Sequence, residues 1–227
     1  MKLTIFAATG GIGRHLLAQA AAAGHDVTAV VRDPRKLAQA AWDAVRVIEA
    51  DLGAAESGQL ESAVSGADAV LSGLGARSFA DADAGITWRG THAIVEAMAA
   101  ADVRRIVAVS AAPIGTVPSP GRPNPPQHDP GDGFFMRHLF APFARTAFRR
   151  QYANVARMED VLRDSGLDWT AVRPPKLTNK PLTGAYRTAI GRNIPGGWSI
   201  SRADVAQCML RVLEQRETIR QAVGLAH

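Results

Sequence analysis

Through the first 110 residues, short and almost unbroken apolar runs alternate with segments whose apolar positions recur at helical spacing. The runs lie at 3–7, 27–31, 45–50, 69–72 and 106–110, and the helical patterns between them at 12–23, 34–41, 59–64 and 86–101. Strands of about five residues alternating with helices predict βαβ units and a parallel sheet. Because the strands are apolar on both sides, that sheet should be covered by helices on both faces. No repeat with a period of 20–50 residues is present, which argues against a solenoid or a propeller.

The pattern changes at Pro113. Residues 113–133 hold seven prolines and five glycines or asparagines among polar neighbours, which reads as a long loop. Residues 134–148 then hold five of the seven phenylalanines, with Arg137, His138 and Arg145 among them and Arg149 and Arg150 just behind. Phe135, Leu139, Phe140 and Phe143 are compatible with one helical face interrupted by Pro142. Core packing, an apolar wall for a planar ligand, and a dimer or interfacial surface all fit that stretch. A helix over 153–165 stopped by Gly166 leads to a strand at 168–172 and the turn Arg173-Pro174-Pro175. The tail suggests a hairpin of 185–190 with 199–201, a helix over 203–214, and a last strand near 221–225. The expectation is an α/β, doubly wound, mostly parallel sheet of the Rossmann type. It forms one domain over 1–227, with the Pro-rich loop and Phe-rich insertion at 113–150 and substrate-facing elements in 151–227.

Composition narrows the class. The chain has 227 residues, 47% of them hydrophobic and 21% charged. Its longest apolar stretches, 16–24 and 94–101, fall short of the ~20 residues a membrane helix needs. Met1 to Phe6 run straight into a glycine turn, without the tripartite pattern of a secretory leader. The single cysteine, Cys208, can form neither an internal disulfide nor a zinc site. A cytoplasmic protein without structural metal is expected. The net charge of +5 is uneven: residues 1–110 carry 10 basic against 12 acidic groups, and residues 111–227 carry 16 against 9. Such a field favours anionic ligands.

The most informative segment is Leu3 to His15, containing Ala7-Ala8-Thr9-Gly10-Gly11-Ile12-Gly13 between a predicted strand and a predicted helix. Glycines there allow a tight turn and let backbone N–H groups approach a pyrophosphate at a helix N-terminus. A side chain at Gly13 is expected to fill the space between helix and pyrophosphate. At the end of the second strand stands Val31-Arg32-Asp33. A carboxylate in that place accepts from the 2′-hydroxyl of NAD, whereas an arginine suits the 2′-phosphate of NADP. Arg32, with Arg35 and Lys36 behind it, points to NADP(H). Asp51 and Leu52 could flank the adenine, and Leu74 and Gly75 could let the cofactor backbone pass. For each of these the alternative is an ordinary turn.

These residues resemble the atypical short-chain dehydrogenase/reductase superfamily, whose opening Gly-x-x-Gly-x-x-Gly falls here on Ala7, Gly10 and Gly13. Within it, Val31-Arg32-Asp33, Val107 to Ala111, Val161 to Leu167, Pro174-Pro175, Pro181-Leu182-Thr183-Gly184-Ala185-Tyr186, Ile200-Ser201 and Met209-Leu210-Arg211 resemble the biliverdin reductase B and flavin reductase group. The resemblance implies a doubly wound fold, NADPH binding through residues that also include Thr9, Gly11, Ile12, Ser110, Ala111 and Pro174, and hydride transfer to FMN or a linear tetrapyrrole. In that group a serine after the fifth strand and a histidine after the Pro-Pro pair border the substrate. Here those places hold Ala111, with Ser110 one earlier, and Lys176.

Most short-chain dehydrogenases protonate a carbonyl with a tyrosine activated by a lysine four residues on. The two tyrosines, Tyr152 and Tyr186, are followed at that distance by Ala156 and Ile190, so alcohol–ketone chemistry by that route is excluded. Flavin reduction mainly requires orientation of donor against acceptor. The candidate catalytic residues are Ser110 at a strand end, Lys176 after the rigid Pro-Pro turn, and Tyr152 if the loop folds over the site. Arg157 and Glu159, in a row with Val155, Met158, Val161 and Leu162, read as core packing. Rival readings are a non-catalytic NADP(H)-binding redox sensor and a biosynthetic reductase or isomerase for a polyketide-like substrate. The expected partner is a small planar acceptor, with no nucleic acid, in a monomer or homodimer.

Overall fold

The computed structural model describes residues 1–37, 45–52, 57–75, 81, 83–133 and 148–227. Among the described residues there are ten strands: β1 (Lys2–Phe6), β2 (Asp26–Val31), β3 (Val45–Glu49), β4 (Ala69–Ser72), β5 (Arg105–Val109), β6 (Asp168–Arg173), β7 (Lys176–Thr178), β8 (Arg187–Ile190), β9 (Ser199–Ser201) and β10 (Gln221–Ala226). The longer helices are α1 (Gly13–Ala22), α2 (Ser57–Val64), α3 (Ile86–Ala100), α4 (Arg149–Asp164) and α5 (Arg202–Arg211). The main sheet has the order β3-β2-β1-β4-β5-β6-β10-β8. Its neighbours pair in parallel from β3 through β10, and only the edge strand β8 runs antiparallel. This is the doubly wound sheet expected from the alternating runs.

Successive residues of a strand point to opposite faces, so an apolar run feeds two cores at once. Ile5 and Val107 pack under α1 and α5 with Leu16, Val205 and Met209. Their neighbours Phe6 and Ile106 pack on the other face with Leu60, Ile94, Met98, Met158 and Leu162 from α2, α3 and α4. Strands are added to one side of β1 up to β3 and to its other side from β4 on, so the strand order reverses between β1 and β4, whose parallel register sets Phe6 beside Ser72. In open α/β sheets ligands bind at the carboxyl end of such a switch point.

One expectation is corrected. The tail does not form a hairpin of 185–190 with 199–201. Instead β8 pairs with β10, Val223 facing Ile190, and β9 pairs in parallel with β7, Lys176 facing Ser199. The connection after β8 passes through left-handed Gly191 and Gly196, which turn the chain away from β8. It also presses on β10, where a Cβ at Gly224 would lie 2.2 Å from the Arg192 carbonyl oxygen. The Pro-rich stretch is a loop, as expected, and it is packed against the body of the domain. It starts with the 3-10 turn Ala112–Thr116 and buries Ile114, Val117, Ser119 and Asp129. Ser119 Oγ and the Gly121 amide donate to the Asp160 carboxylate on α4, at 2.9 and 3.0 Å. Asp129 Oδ1 accepts from the Gly131 and Asn193 amides, each at 2.8 Å. The phenylalanine-rich segment lies outside the described residues except for exposed Phe148, as does the predicted helix beyond the 3-10 turn Pro34–Lys36.

Candidate functional site

The glycine turn stands at the carboxyl end of β1. Ala7 takes the left-handed conformation, φ 56°, and accepts at its carbonyl from the Gly10 amide at 2.8 Å. An alanine thus occupies a backbone shape that glycine adopts without strain. The amides of Arg14, His15 and Leu16 donate to the Gly10 and Ile12 carbonyls at 2.9–3.1 Å, which joins the turn to α1, and the positive dipole end of the helix faces the turn. A Cβ at Gly13 would lie 2.1 Å from the Ala7 carbonyl oxygen and 2.9 Å from Ala8 Cα. Gly13 therefore serves helix–strand contact, and the expectation that a side chain there meets a pyrophosphate is corrected: it would meet β1 first. Gly73, after β4, closes the other side, its amide donating to Phe6 O at 3.2 Å.

At the carboxyl ends of β2 and β3 a depression of about 620 Å³ is lined by Arg32, Asp33, Pro34, Arg35, Lys36 and Glu49. Asp33 is engaged locally. It accepts from Arg35 Nε at 2.9 Å and Nη2 at 3.3 Å, lies 3.6 Å from Lys36 Nζ, and caps the following turn through the Arg35 amide. The Arg35 hydrogen bond holds its carboxyl below the usual range. Arg32 is exposed and has no ion-pair partner among the described residues. The depression therefore offers a free guanidinium and an already occupied carboxylate, the arrangement that suits a phosphate better than a ribose hydroxyl.

Between these two features Leu52 and Leu74 meet over α3, where a Cβ at Gly90 would lie 2.7 Å from Leu74 Cδ2 and 3.3 Å from Leu52 Cβ. They form an apolar ledge beside the ends of β3 and β4. Asp51 is exposed next to it, and Gly75 faces open space. Thr9, Gly11 and Ile12 complete the turn, with Ile12 buried under α1 and Gly11 exposed.

The ends of β5 and β6 carry the rest. Ser110 is buried, and its hydroxyl donates to Glu159 Oε1 at 2.6 Å. Glu159, 1% exposed, also accepts from Arg173 Nε at 2.8 Å, Arg173 Nη2 at 2.6 Å and Arg163 Nη1 at 3.2 Å. Burial pushes the Glu159 carboxyl up, but Arg173, Ser110 and Arg163 outweigh it, so the group stays below its usual range and is ionised. An ionised carboxylate only accepts, which fixes Ser110 as the donor. The reading of Glu159 as simple core packing is corrected: it is the acceptor hub of a buried charge network. Its pairing with Arg163 at helical spacing was visible in the sequence, whereas Arg173 and Ser110 come from other elements.

Ala111 and Tyr152 pack with Ile114, Val117, Val155 and Ala156. The Tyr152 ring lies 5.9 Å from that of Phe148, and burial pushes its phenol pKa up. The Ala112 amide donates to the carbonyl of buried Pro174 at 2.9 Å, joining the ends of β5 and β6. Ser110, Ala111, Tyr152 and Pro174 are thus brought together. Lys176 is not: it is exposed on the small β7–β9 sheet.

The family model described as NAD(P)H-binding matches residues 7–216. The chain belongs to the NAD(P)H-binding family. Over its whole length this NAD(P)H-binding protein is 26% identical to a Streptococcus pneumoniae protein provisionally named an NADH-flavin reductase, covering 100% of this chain and 99% of that one at a TM-score of 0.74. ChuY, an anaerobilin reductase from Escherichia coli O157:H7, is similar in fold: 20% identity, coverage of 100% and 97%, and a TM-score of 0.75. YhfK of Bacillus subtilis, described as an uncharacterised sugar epimerase, is 26% identical over 228 residues, which is 99% of this chain and 94% of YhfK. The residues present fit the dinucleotide: a left-handed turn and helix N-terminus for the diphosphate, a cationic depression one strand away, and an apolar ledge between strands. No helix among the described residues is long and apolar enough to cross a membrane.

Proposed function

We propose that this protein is an NADPH-dependent reductase that passes hydride to a planar, anionic acceptor such as FMN at the carboxyl ends of β4, β5 and β6. One observation carries the proposal: among the described residues at the ends of β5 and β6, neither Ser110 nor Tyr152 is set to give a proton. The Ser110 proton is committed to Glu159 at 2.6 Å. The Tyr152 phenol is pushed up by burial, and the residue four positions on is Ala156. A carbonyl oxygen needs a proton as hydride reaches its carbon. An isoalloxazine spreads the incoming charge over its rings and takes its proton from water, so the protein's task is orientation.

Bound NADPH supplies the hydride. Arg32 at the β2 end supports the choice of the phosphorylated dinucleotide, and the glycine turn holds its diphosphate. The Leu52–Leu74 ledge excludes water beside the cofactor. Ser110, with its hydrogen turned to Glu159, presents oxygen lone pairs and so accepts from an amide or ring N–H. The rigid strap 113–133 walls the acceptor side. The excess of basic residues in 111–227 favours an acceptor bearing phosphate or carboxylates.

The same missing acid favours a second reading, a redox sensor that binds NADP(H) without consuming it. Turnover separates the two. Purified protein is titrated with NADPH and NADH, and loss of the reduced-nicotinamide absorbance is followed with and without FMN. FMN-dependent oxidation with preference for NADPH is the expected result. Tight NADPH binding without oxidation by FMN or by a linear tetrapyrrole would replace the reductase with the sensor.

A further inference from the structure

The residues that close over the glycine turn come from the other end of the chain. Ser201 caps α5: its hydroxyl accepts from the Asp204 amide at 2.9 Å and donates to Asp204 Oδ2 at 2.6 Å. Asp204 is fully buried and also accepts from the Thr183 and Gly184 amides, at 2.9 and 2.8 Å, and from Thr183 Oγ1 at 3.1 Å. The segment 181–186 is thereby bolted to the first turn of α5, and Arg202, which directly follows the cap, is held at its root. Its side chain lies across Gly11: a Cβ there would stand 2.8 Å from Arg202 Nε and 3.0 Å from Cδ. Arg202 Nη1 donates to Asn179 Oδ1 at 2.7 Å, which fixes the far end of the guanidinium.

Of five guanidinium N–H groups, that bond uses one. Arg202 has no carboxylate partner among the described residues. A partly exposed cation fixed at both ends, with unused donors above a glycine, is arranged for an anion on that glycine. Arg14 and His15 stand on the adjacent turn of α1. Burial and then the charges of Arg14 and Arg202 lower the His15 pKa, which keeps its ring from adding a second fixed cation.

We infer that Arg202 is a second clamp on the dinucleotide diphosphate, delivered by the Asp204-centred lock on residues 181–186 and acting beside the backbone amides of the glycine turn. The inference rests on the dinucleotide lying at that turn. It assigns a task to the segment 181–186: its amides hold Asp204, and Asp204 holds the base of the clamp. It also gives a reason for glycine at position 11, since a methyl group would occupy the place of the guanidinium stem. Arg32 reads the 2′-phosphate and Arg202 the diphosphate, so their deletions must differ in which ligands they weaken.

Dissociation constants for NADPH and NADH are measured by calorimetry for wild type, Arg202→Ala, Arg202→Lys, Gly11→Ala and Arg32→Ala, with 2′-AMP as a competitor that lacks the diphosphate. Arg202→Ala is expected to weaken NADPH and NADH alike, by roughly tenfold or more, and to leave 2′-AMP binding unchanged. Arg202→Lys regains part of the loss, and Gly11→Ala weakens both dinucleotides by displacing the guanidinium. Unchanged affinity in Arg202→Ala overturns the inference. So does a loss confined to NADPH, which would make Arg202 a 2′-phosphate contact, or a loss of 2′-AMP equal to that of NADPH, which would mean general damage. A wild-type protein that binds neither dinucleotide overturns the placement of the cofactor itself.

Discussion

Replacing Glu159 by glutamine keeps the shape of the hub and removes its charge. Arg173, 6% exposed, then holds a buried positive charge without its bidentate partner. Breaking a buried ion pair from one side costs about 3–5 kcal/mol. Arg163 retains Asp160, so part of the network survives, and the lower figure applies. A loss of about 3 kcal/mol from a domain whose total stability is about 5–15 kcal/mol lowers the melting temperature by roughly 6–12 °C for a chain of this size. Urea titration followed by circular dichroism reads the midpoint, with an unchanged slope as the sign that only stability has moved. The double variant Glu159→Gln, Arg173→Met removes the stranded charge and is expected to recover most of the loss, because an apolar replacement for a buried pair is often neutral. A single variant as stable as wild type, or a double variant no better than the single, would refute the view that Glu159 neutralises Arg173.

Arg32→Glu is expected to weaken NADPH far more than NADH in a binding titration, because it sets a repelling charge against the 2′-phosphate; equal losses would remove the case for NADP. Ala7→Gly relieves the left-handed strain of about 1–2 kcal/mol and forfeits about 0.4–1 kcal/mol of unfolded-state entropy. It should therefore raise the urea midpoint by the equivalent of about 0.5–1 kcal/mol, and a lowered midpoint would show that the Ala7 methyl makes compensating contacts. Gly13→Ala drives a methyl into the backbone of Ala7 and is expected to cost about 1–3 kcal/mol or more, visible in thermal melts without any cofactor. Asp204 gives a pH dependence: burial pushes its carboxyl up, but Ser201, Gly184, Thr183 and His227 bring it from 3.8 down to about 2. A group with a depressed folded pKa stabilises above its unfolded value and loses that contribution as pH falls towards about 2. Acid titration of Asp204→Asn should show a shallower loss of stability between about pH 4 and 2 than wild type.

Strand positions were legible because the information is local. The apolar run at 69–72 is observed as Ala69–Ser72, and those at 27–31 and 106–110 differ from the observed strands by a residue. The α4 start was misjudged: the helix begins at Arg149, without a side-chain cap to mark it. The tail was misread because β8 and β9 each lie near turn residues that look like a hairpin, while the partners they take, β10 and β7, are chosen by the sheet edge available to them. At the candidate site, the position of the glycine turn at the end of β1 and of Arg32 at the end of β2 was legible from a motif with a mechanism. The state of Ser110 was not, since Glu159 lies 49 positions away and shows its charge pairing only once β5, β6 and α4 converge.

By itself the sequence determined the doubly wound α/β class, the place of the glycine turn, the cation at the end of the second strand and the lack of a tyrosine–lysine pair. These follow from side-chain period, turn chemistry and spacing, all of which act between neighbours in the chain. Only the tertiary structure decided that Ala7 bears the left-handed backbone, that Ser110 has committed its proton, that Lys176 stands apart, and that Arg202 closes over Gly11. Each of those depends on which groups meet across elements in a low-dielectric interior, where a partner's position and charge set what a side chain can still do.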